Sequence, residues 1–107
     1  MRTNTVVTAG IVCDAIRTRS RLEFDYQGKH RVVEPYCHGV STRDEEVMRA
    51  VQVGGQSTSR KLGFGKLWYV RDMENARLLN EQFDPDDPNY NPDDTAMKTI
   101  HCRIEKP

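Results

Sequence analysis

The sequence predicts a mainly β domain, with one N-terminal helix followed by a small, strongly bent sheet that closes into a barrel. Two observations lead to this expectation. Short runs that alternate apolar and polar residues recur from residue 21 to residue 105, with tight polar links between them. A stripe of apolar residues at helical spacing is confined to the first 19 residues. A chain of 107 residues is long enough for one domain with a modest core.

The helix is predicted over residues 5–19. Ile11 and Ile16 belong to its apolar stripe, and Arg17 lies near its C-terminal end, where positive charge suits the helix dipole. Because Gly10 and the neighbouring threonines and valines are poor helix formers, we expect the helix to depend on packing against the sheet.

A β-hairpin is predicted directly after the helix. Leu22, Phe24 and Tyr26 alternate with charged residues, as in a strand with one buried face. Gly28 then allows a tight turn, because glycine readily takes a positive φ. The second strand is predicted to end, or to meet an edge of the sheet, at Pro35, because proline lacks the N–H that a central ladder needs.

The later elements follow from the same reasoning. The barrel core is predicted over residues 21–83, with a polar turn at 39–44, a third strand at 45–53, a flexible loop at 54–65, a fourth strand at 66–71 and a fifth at 76–83. For 76–83 a helix is nearly as good an interpretation. An acidic, proline-rich loop is predicted over 84–94 and a closing strand over 95–105. Asp94, the last residue of the loop, is predicted to cap a short turn at residues 95–97.

Charge and cysteine content limit the classes of function. Sixteen basic and sixteen acidic residues cancel, which argues against a general nucleic-acid binder. Residues 1–71 nevertheless carry 12 basic and 7 acidic side chains, so a local anion site is compatible with the composition. Three cysteines without a signal peptide indicate reduced thiols and a microbial cytoplasm. No apolar run is long enough to cross a membrane.

Metal binding and catalysis are both weakly supported by the sequence. Cys37-His38 and His101-Cys102 pair potential ligands, but neighbours on a strand point to opposite faces, so each pair cannot easily ligate one ion. One residue from each pair could still meet a partner, although no CxxC spacing is present. The serines and threonine at 57–59 have no histidine or aspartate at a suggestive spacing. We therefore expect no metal, no cofactor and no enzymatic activity.

Three arginines in predicted strands form the candidate ligand site. Arg31, Arg49 and Arg71 lie in runs that also supply aromatic residues, among them Tyr36 and Tyr69. Guanidinium groups beside aromatic rings are suited to a phosphate, a carboxylate or a stacked base.

Arg49 stands out among these arginines, because it shares a predicted strand face with valines. Such a charge needs a carboxylate, a ligand anion or the solvated mouth of a groove. The alternative to a ligand site is internal ion pairing, for example of Arg31 or Arg49 with Glu34.

The pattern of residues 16–35 resembles the short, stand-alone form of the WYL-domain family. The resemblance is carried by ten positions: Ile16, Arg19, Leu22, Phe24, Tyr26, Gly28, Arg31, Val33, Glu34 and Pro35. Weaker similarity extends from about residue 11 to residue 104. It departs from the family where the Trp-Tyr-Leu triplet falls on Glu46-Val47-Met48. It departs again where the Phe-Arg-x-Asp-Arg stretch falls on residues 68–72.

The resemblance implies an Sm-like, SH3-type barrel with an N-terminal helix, acting as a sensing module of a bacterial regulator. We therefore expect a non-enzymatic module that binds a small anionic ligand or a short single-stranded nucleic acid and modulates a partner protein or its own oligomer. The competing hypothesis is a structural or protein-interaction module without a ligand site.

Overall fold

The computed structural model describes residues 5–55, 66–85 and 90–105, with side chains from residue 8 onward. The chain is mainly β with one N-terminal helix, as predicted. Its elements are α1 (Thr5–Thr18), β1 (Ser20–Tyr26), β2 (Lys29–Ser41), β3 (Glu46–Gly55), β4 (Leu67–Tyr69), a 3₁₀ turn (Val70–Asp72), β5 (Met73–Gln82) and β6 (Met97–Arg103). In these residues no helix is long and apolar enough to span a membrane.

The strands form one antiparallel sheet in the order β4-β3-β2-β1-β5, and β6 also pairs with β2. The long strand β2 therefore has three partners. Among the described residues no ladder joins β4 to β5, so the sheet is bent but is not closed into the predicted barrel. The short β4, which the 3₁₀ turn follows at once, leaves little backbone for such a ladder.

Pro35 marks the place where β2 changes partners. The ladder with β1 ends at Val33, and the ladder with β6 begins at Cys37, so on this edge Pro35 lies between two partners. A bulge between Pro35 and Cys37 interrupts the pairing with β3. The predicted edge at Pro35 is thus present, but the strand continues to Ser41, because the bulge accommodates a residue without an N–H.

Two glycines, one in the hairpin turn before β2 and one inside β2, are required by the backbone. At the hairpin, Gln27 and Gly28 have φ of 54° and 73°, which confirms the predicted positive φ at Gly28. Gly39, predicted to begin a polar turn, instead lies within β2. A Cβ on Gly39 would be 2.0 Å from the carbonyl oxygen of Thr99 in β6, so only glycine allows this approach.

The core lies between α1 and the concave side of the sheet. Leu22, Phe24 and Val33 are fully buried, as the alternation predicts, and Ile16 of α1 packs with them. The alternation within the predicted third strand, in which Val47, Val51 and Val53 share one face, also predicts a buried Val51, but this side chain is only half-buried. The core side of β3 is the opposite face: Met48, Ala50 and Gln52 are buried there.

The remaining boundaries differ from the predictions in two places. The predicted fourth strand (66–71) divides into β4 and the 3₁₀ turn. β5 begins at Met73, three residues before the predicted start, and continues through Asn75 although this residue has a positive φ. Residues 56–65 of the predicted flexible loop and 86–89 of the acidic loop lie outside the described residues. Asp94 accepts a hydrogen bond from the Ala96 N–H at 3.0 Å, which confirms the predicted cap.

A disulfide joins α1 to β6. It connects Cys13 to Cys102, whereas Cys37 is a free, buried thiol. The sequence-based expectation of three reduced cysteines is therefore wrong for two of them. The number of cysteines does not show which of them are close in space. Here the fold places Cys13 of α1 against Cys102 of β6, within the range of a disulfide.

Candidate anion-binding site

Arg31 is a fully buried cation in β2, opposite Phe24 of β1. Its two terminal nitrogens donate hydrogen bonds to neutral oxygens, the Oε1 of Gln52 and the carbonyl of Tyr26, each at 3.3 Å. The guanidinium carbon also lies 5.8 Å from the ring centroid of Tyr26 and 5.5 Å from that of Trp68. Cation–π contacts of this kind contribute about 0.5–2 kcal/mol each.

No carboxylate of the described residues pairs with Arg31. Its Nε is buried and has no hydrogen-bond partner in the part of the chain that the structure describes. The segment 56–65, which follows the Gly55 that pairs with Arg31, contains Arg60 and Lys61 and no acidic residue. Burying a charge costs several kcal/mol unless it is well paired, so this guanidinium is an incompletely satisfied group.

Lys66 brings a second positive charge to the same aromatic ring. Its Nζ lies 4.3 Å from the ring centroid of Trp68, and its side chain is partly exposed. Burial, and then the positive charge of Arg31, lower the pKa of Lys66 from its usual value. Two cations that raise each other's energy in this way favour the approach of an anion.

Trp68 is fully buried, and its ring is fixed from several sides. Its indole N–H donates to the carbonyl of Ala50 at 3.3 Å. The rings of Phe24 and Tyr26 contact it edge-on, with centroids 5.2 and 5.0 Å away. The pKa of the Tyr26 hydroxyl is raised, mainly by burial. Arg31, Lys66, Trp68 and Tyr26 together are called the cationic cluster below.

Arg49, the arginine given most weight from the sequence, is paired internally. Its Nε and one terminal nitrogen donate to the two carboxylate oxygens of Asp94 at 2.7 and 3.1 Å. Burial alone would raise the pKa of Asp94, but the hydrogen bonds from Arg49 and from the Ala96 backbone outweigh it and hold the pKa below its usual value. Of the three possibilities left open for Arg49, the structure favours a carboxylate partner, and that partner is not Glu34, which pairs with Arg21.

Arg71 and Tyr69 lie at the surface beside the cationic cluster. The Arg71 side chain is 61% exposed and pairs with Glu45 at 3.2 Å, and its guanidinium lies 5.5 Å from the Tyr69 ring centroid. Tyr69 is connected to the cluster because its backbone N–H donates to the Tyr26 hydroxyl at 3.1 Å. Both residues therefore border the cluster without forming part of its buried centre.

Tyr36 belongs to a different part of the core. Its ring packs against Phe83 and Tyr90, with centroids 5.7 and 4.9 Å away. The Tyr90 hydroxyl donates to the backbone carbonyl of Ile104 at 2.5 Å, and its oxygen lies 3.4 Å from the carbonyl oxygen of Tyr36, so it connects β2 to the segment that follows β6. The contacts described for Tyr36 do not include the cationic cluster.

Sequence reasoning thus found Arg31 but overlooked Lys66. A signal for Arg31 was present. With a two-residue turn at Gln27-Gly28, the register places Arg31 opposite Phe24, on the inward face. Lys66 carried no such signal, because its position against Trp68 depends on how β4 pairs with β3.

Comparison with known proteins gives no relatives at the level of significance required: no family model, curated protein or solved structure matches the chain.

Proposed function

We propose that this protein is a non-enzymatic sensing module of the WYL type, which binds a small anionic ligand at the cationic cluster and transmits its occupancy to a partner. The observation that carries the proposal is the fully buried Arg31, which lacks a carboxylate partner among the described residues and has an unpaired Nε. An anion at this position would supply the missing acceptor and offset the repulsion between Arg31 and Lys66.

The chemistry of the cluster favours a phosphate or carboxylate attached to a flat group. The Arg31 guanidinium offers its unpaired Nε to an anionic oxygen, and Lys66 offers a mobile point charge. Tyr69, which borders the cluster and is 37% exposed, offers a ring for stacking. A nucleotide or the end of a short single strand combines these features. The bacterial cytoplasm, where such ligands are abundant, remains the predicted location.

Replacing Arg31 by methionine separates a ligand-binding role from a structural one. Methionine has similar length and no charge, so the variant removes an unpaired buried cation from the core. We expect unchanged or increased stability, since buried ionic groups are often replaced by apolar ones with a gain of about 1–4 kcal/mol. We also expect binding to be lost. A destabilised variant that binds like the wild type would assign Arg31 to the architecture of the core.

Replacing Lys66 by glutamine tests the same site from its exposed side. Calorimetric titration with a mononucleotide, a short oligothymidylate and inorganic phosphate should show binding by the wild type that weakens steeply with salt. Lys66→Gln should weaken it about tenfold, which corresponds to one charge-assisted hydrogen bond. Lys98→Gln removes the same charge from β6, where Lys98 pairs with Asp44, and should leave binding unchanged. A salt-independent response would contradict an anion site.

The competing function is a protein-interaction module that uses the edge strand β5. Leu78 is 45% exposed on that strand, and β5 is followed in the sheet order by no further strand of the described chain. Charged residues along β5, including Glu74 and Arg77, are of the kind that protect an edge from pairing. Because these charges disfavour pairing at β5, we favour the ligand-binding proposal, which is based on the cationic cluster.

A further inference from the structure

A cysteine–histidine cluster joins three separate elements of the fold, away from the contacts of the cationic cluster. Cys13 comes from α1, His38 from β2 and Cys102 from β6, and their potential ligand atoms all lie within 4.8 Å of one another. The Cys13 sulfur is 3.5 Å from the Nδ1 of His38. His38 and Cys102 are buried, and Cys13 is partly buried.

The surroundings of His38 orient it as a ligand. Its Nε2 faces the Oε2 of Glu46 at 3.4 Å, so a proton on Nε2 is donated to a carboxylate. The Nδ1 lone pair is then directed toward the two sulfur atoms. A carboxylate on the far nitrogen is the usual partner of a metal-bound histidine, because it fixes the tautomer and the ring orientation.

One side of the cluster is open to solvent. A cavity of about 420 Å³ is lined by Cys102, His101 and Arg17, among others. The exposed His101 ring lies 5.4 Å from the His38 ring, measured between centroids. A water molecule or His101 therefore has access to a fourth position beside the three ligands.

We propose that the reduced protein binds one zinc ion through Cys13, His38 and Cys102, and that the Cys13–Cys102 disulfide is the oxidised, metal-free form. Two thiolates and an imidazole are ligands typical of Zn²⁺ and unsuited to Mg²⁺ or Ca²⁺. Tetrahedral coordination with Zn–S distances of about 2.3 Å holds two sulfurs about 3.8 Å apart. Sulfurs that are bonded to each other cannot adopt this spacing, so the two forms exclude one another.

The conversion between the forms is a two-electron step. A dithiol reductant gives two electrons and two protons to the disulfide, which becomes two thiols, while the dithiol closes to a disulfide of its own. Zinc then binds the two thiolates, and both thiol protons are released to solvent. Reduction therefore creates the site, and bound zinc protects its sulfurs from reoxidation.

This proposal replaces the sequence-based expectation that the chain holds no metal. The strand-parity argument behind that expectation is correct for Cys37, whose thiol contacts Met97 on the other side of β2. The sequence left open that one residue from each Cys/His dipeptide could meet a partner. That partner is Cys13, which the helix brings to His38 and Cys102.

Cobalt titration of the protein, reduced with a phosphine under anaerobic conditions, tests the proposal. We expect one Co²⁺ per chain, the visible bands of tetrahedral cobalt, a thiolate-to-cobalt band in the near ultraviolet, and displacement by Zn²⁺. The oxidised protein should bind none. Cys13→Ser and Cys102→Ser should remove the thiolate band or halve it, and His38→Gln should weaken binding by about tenfold or more. Cys37→Ala is the matched control and should bind like the wild type.

Three results would overturn the proposal: a folded, reduced wild type that binds no cobalt, equal binding by the oxidised protein, or loss of binding in Cys37→Ala. Circular dichroism follows the fold in each sample. If reduction alone unfolds the chain, added Zn²⁺ should restore the helix signal, because metal binding then drives folding. A chain that stays unfolded with Zn²⁺ also contradicts the proposal.

Discussion

Replacing Asp94 by asparagine measures how much the ion pair with Arg49 stabilises the fold. The side chains of Arg49 and Asp94 are only 14% and 9% exposed, and two hydrogen bonds join them. Breaking a fully buried pair costs about 3–5 kcal/mol, and an exposed pair contributes about 0–1 kcal/mol. For this mostly buried pair we expect a loss of about 2–4 kcal/mol. Asparagine keeps the Oδ1 that caps the Ala96 N–H, so the change removes the charge and the Oδ2 acceptor of Arg49 but leaves the cap in place.

Urea unfolding of the wild type and Asp94→Asn is the assay. With a slope of about 2 kcal/mol per molar urea, the expected loss lowers the midpoint by about 1–2 M. Asp93→Asn is the matched control. Asp93 is 86% exposed and pairs with Arg103 at the surface, so this variant should lose less than about 0.5 kcal/mol. If the two variants lose equal stability, the reasoning that makes Arg49 a structural residue is refuted.

The same pair predicts a pH dependence with a definite sign. The folded-state pKa of Asp94 is lowered from 3.8, so the pair contributes fully above that pH. Its contribution should disappear as the pH falls through the lower folded-state pKa. The stability difference between wild type and Asp94→Asn should therefore shrink in acid, whereas a constant difference would mean that the carboxylate charge is irrelevant.

Three further changes test the core, a close contact and a thiol. Phe24→Ala should cost about 3–5 kcal/mol in urea unfolding, because the ring is fully buried, and a loss below 0.5 kcal/mol would contradict the strand register. Gly39→Ala should lower the melting temperature by separating β2 from Thr99, whereas Gly10→Ala, with nothing within 4 Å of the added Cβ, should raise it by favouring the helix. Burial raises the pKa of the Cys37 thiol to about 11, so it should react with iodoacetamide at pH 8 only after unfolding, and rapid reaction of the folded protein would contradict its burial.

The sequence predicted those parts of the fold that depend on local patterns. The alternation of Leu22, Phe24 and Tyr26, and the turn at Gly28, depend on side-chain parity and on backbone freedom, which neighbouring residues determine. The continuation of β2 past Pro35 was not predictable in this way. It depends on a bulge and on the arrival of β6, more than 60 residues later in the chain.

In the candidate site too, local patterns identify some residues, and only long-range contacts show how those residues are paired. Arg31 could be identified because its strand parity places it inward, but its lack of a carboxylate could not. Arg49 looked equally exceptional among valines, and only the fold brings Asp94, 45 residues away, to its guanidinium. Whether a buried arginine is paired depends on long-range contacts, and strand periodicity contains no information about them.

The bond between Cys13 and Cys102 also changes how the oxidised chain responds to tension. It closes a loop across a sequence separation of 89 residues, and that loop contains every strand up to β6. A force applied to residues outside the loop passes through the bond and bypasses the sheet, so the strands bear no load. An unfoldase that threads the chain from either side of the loop would meet, at the disulfide, two chain segments that are joined to each other. Until the disulfide is reduced, heat can unfold the sheet, but a pulling force cannot extend its strands.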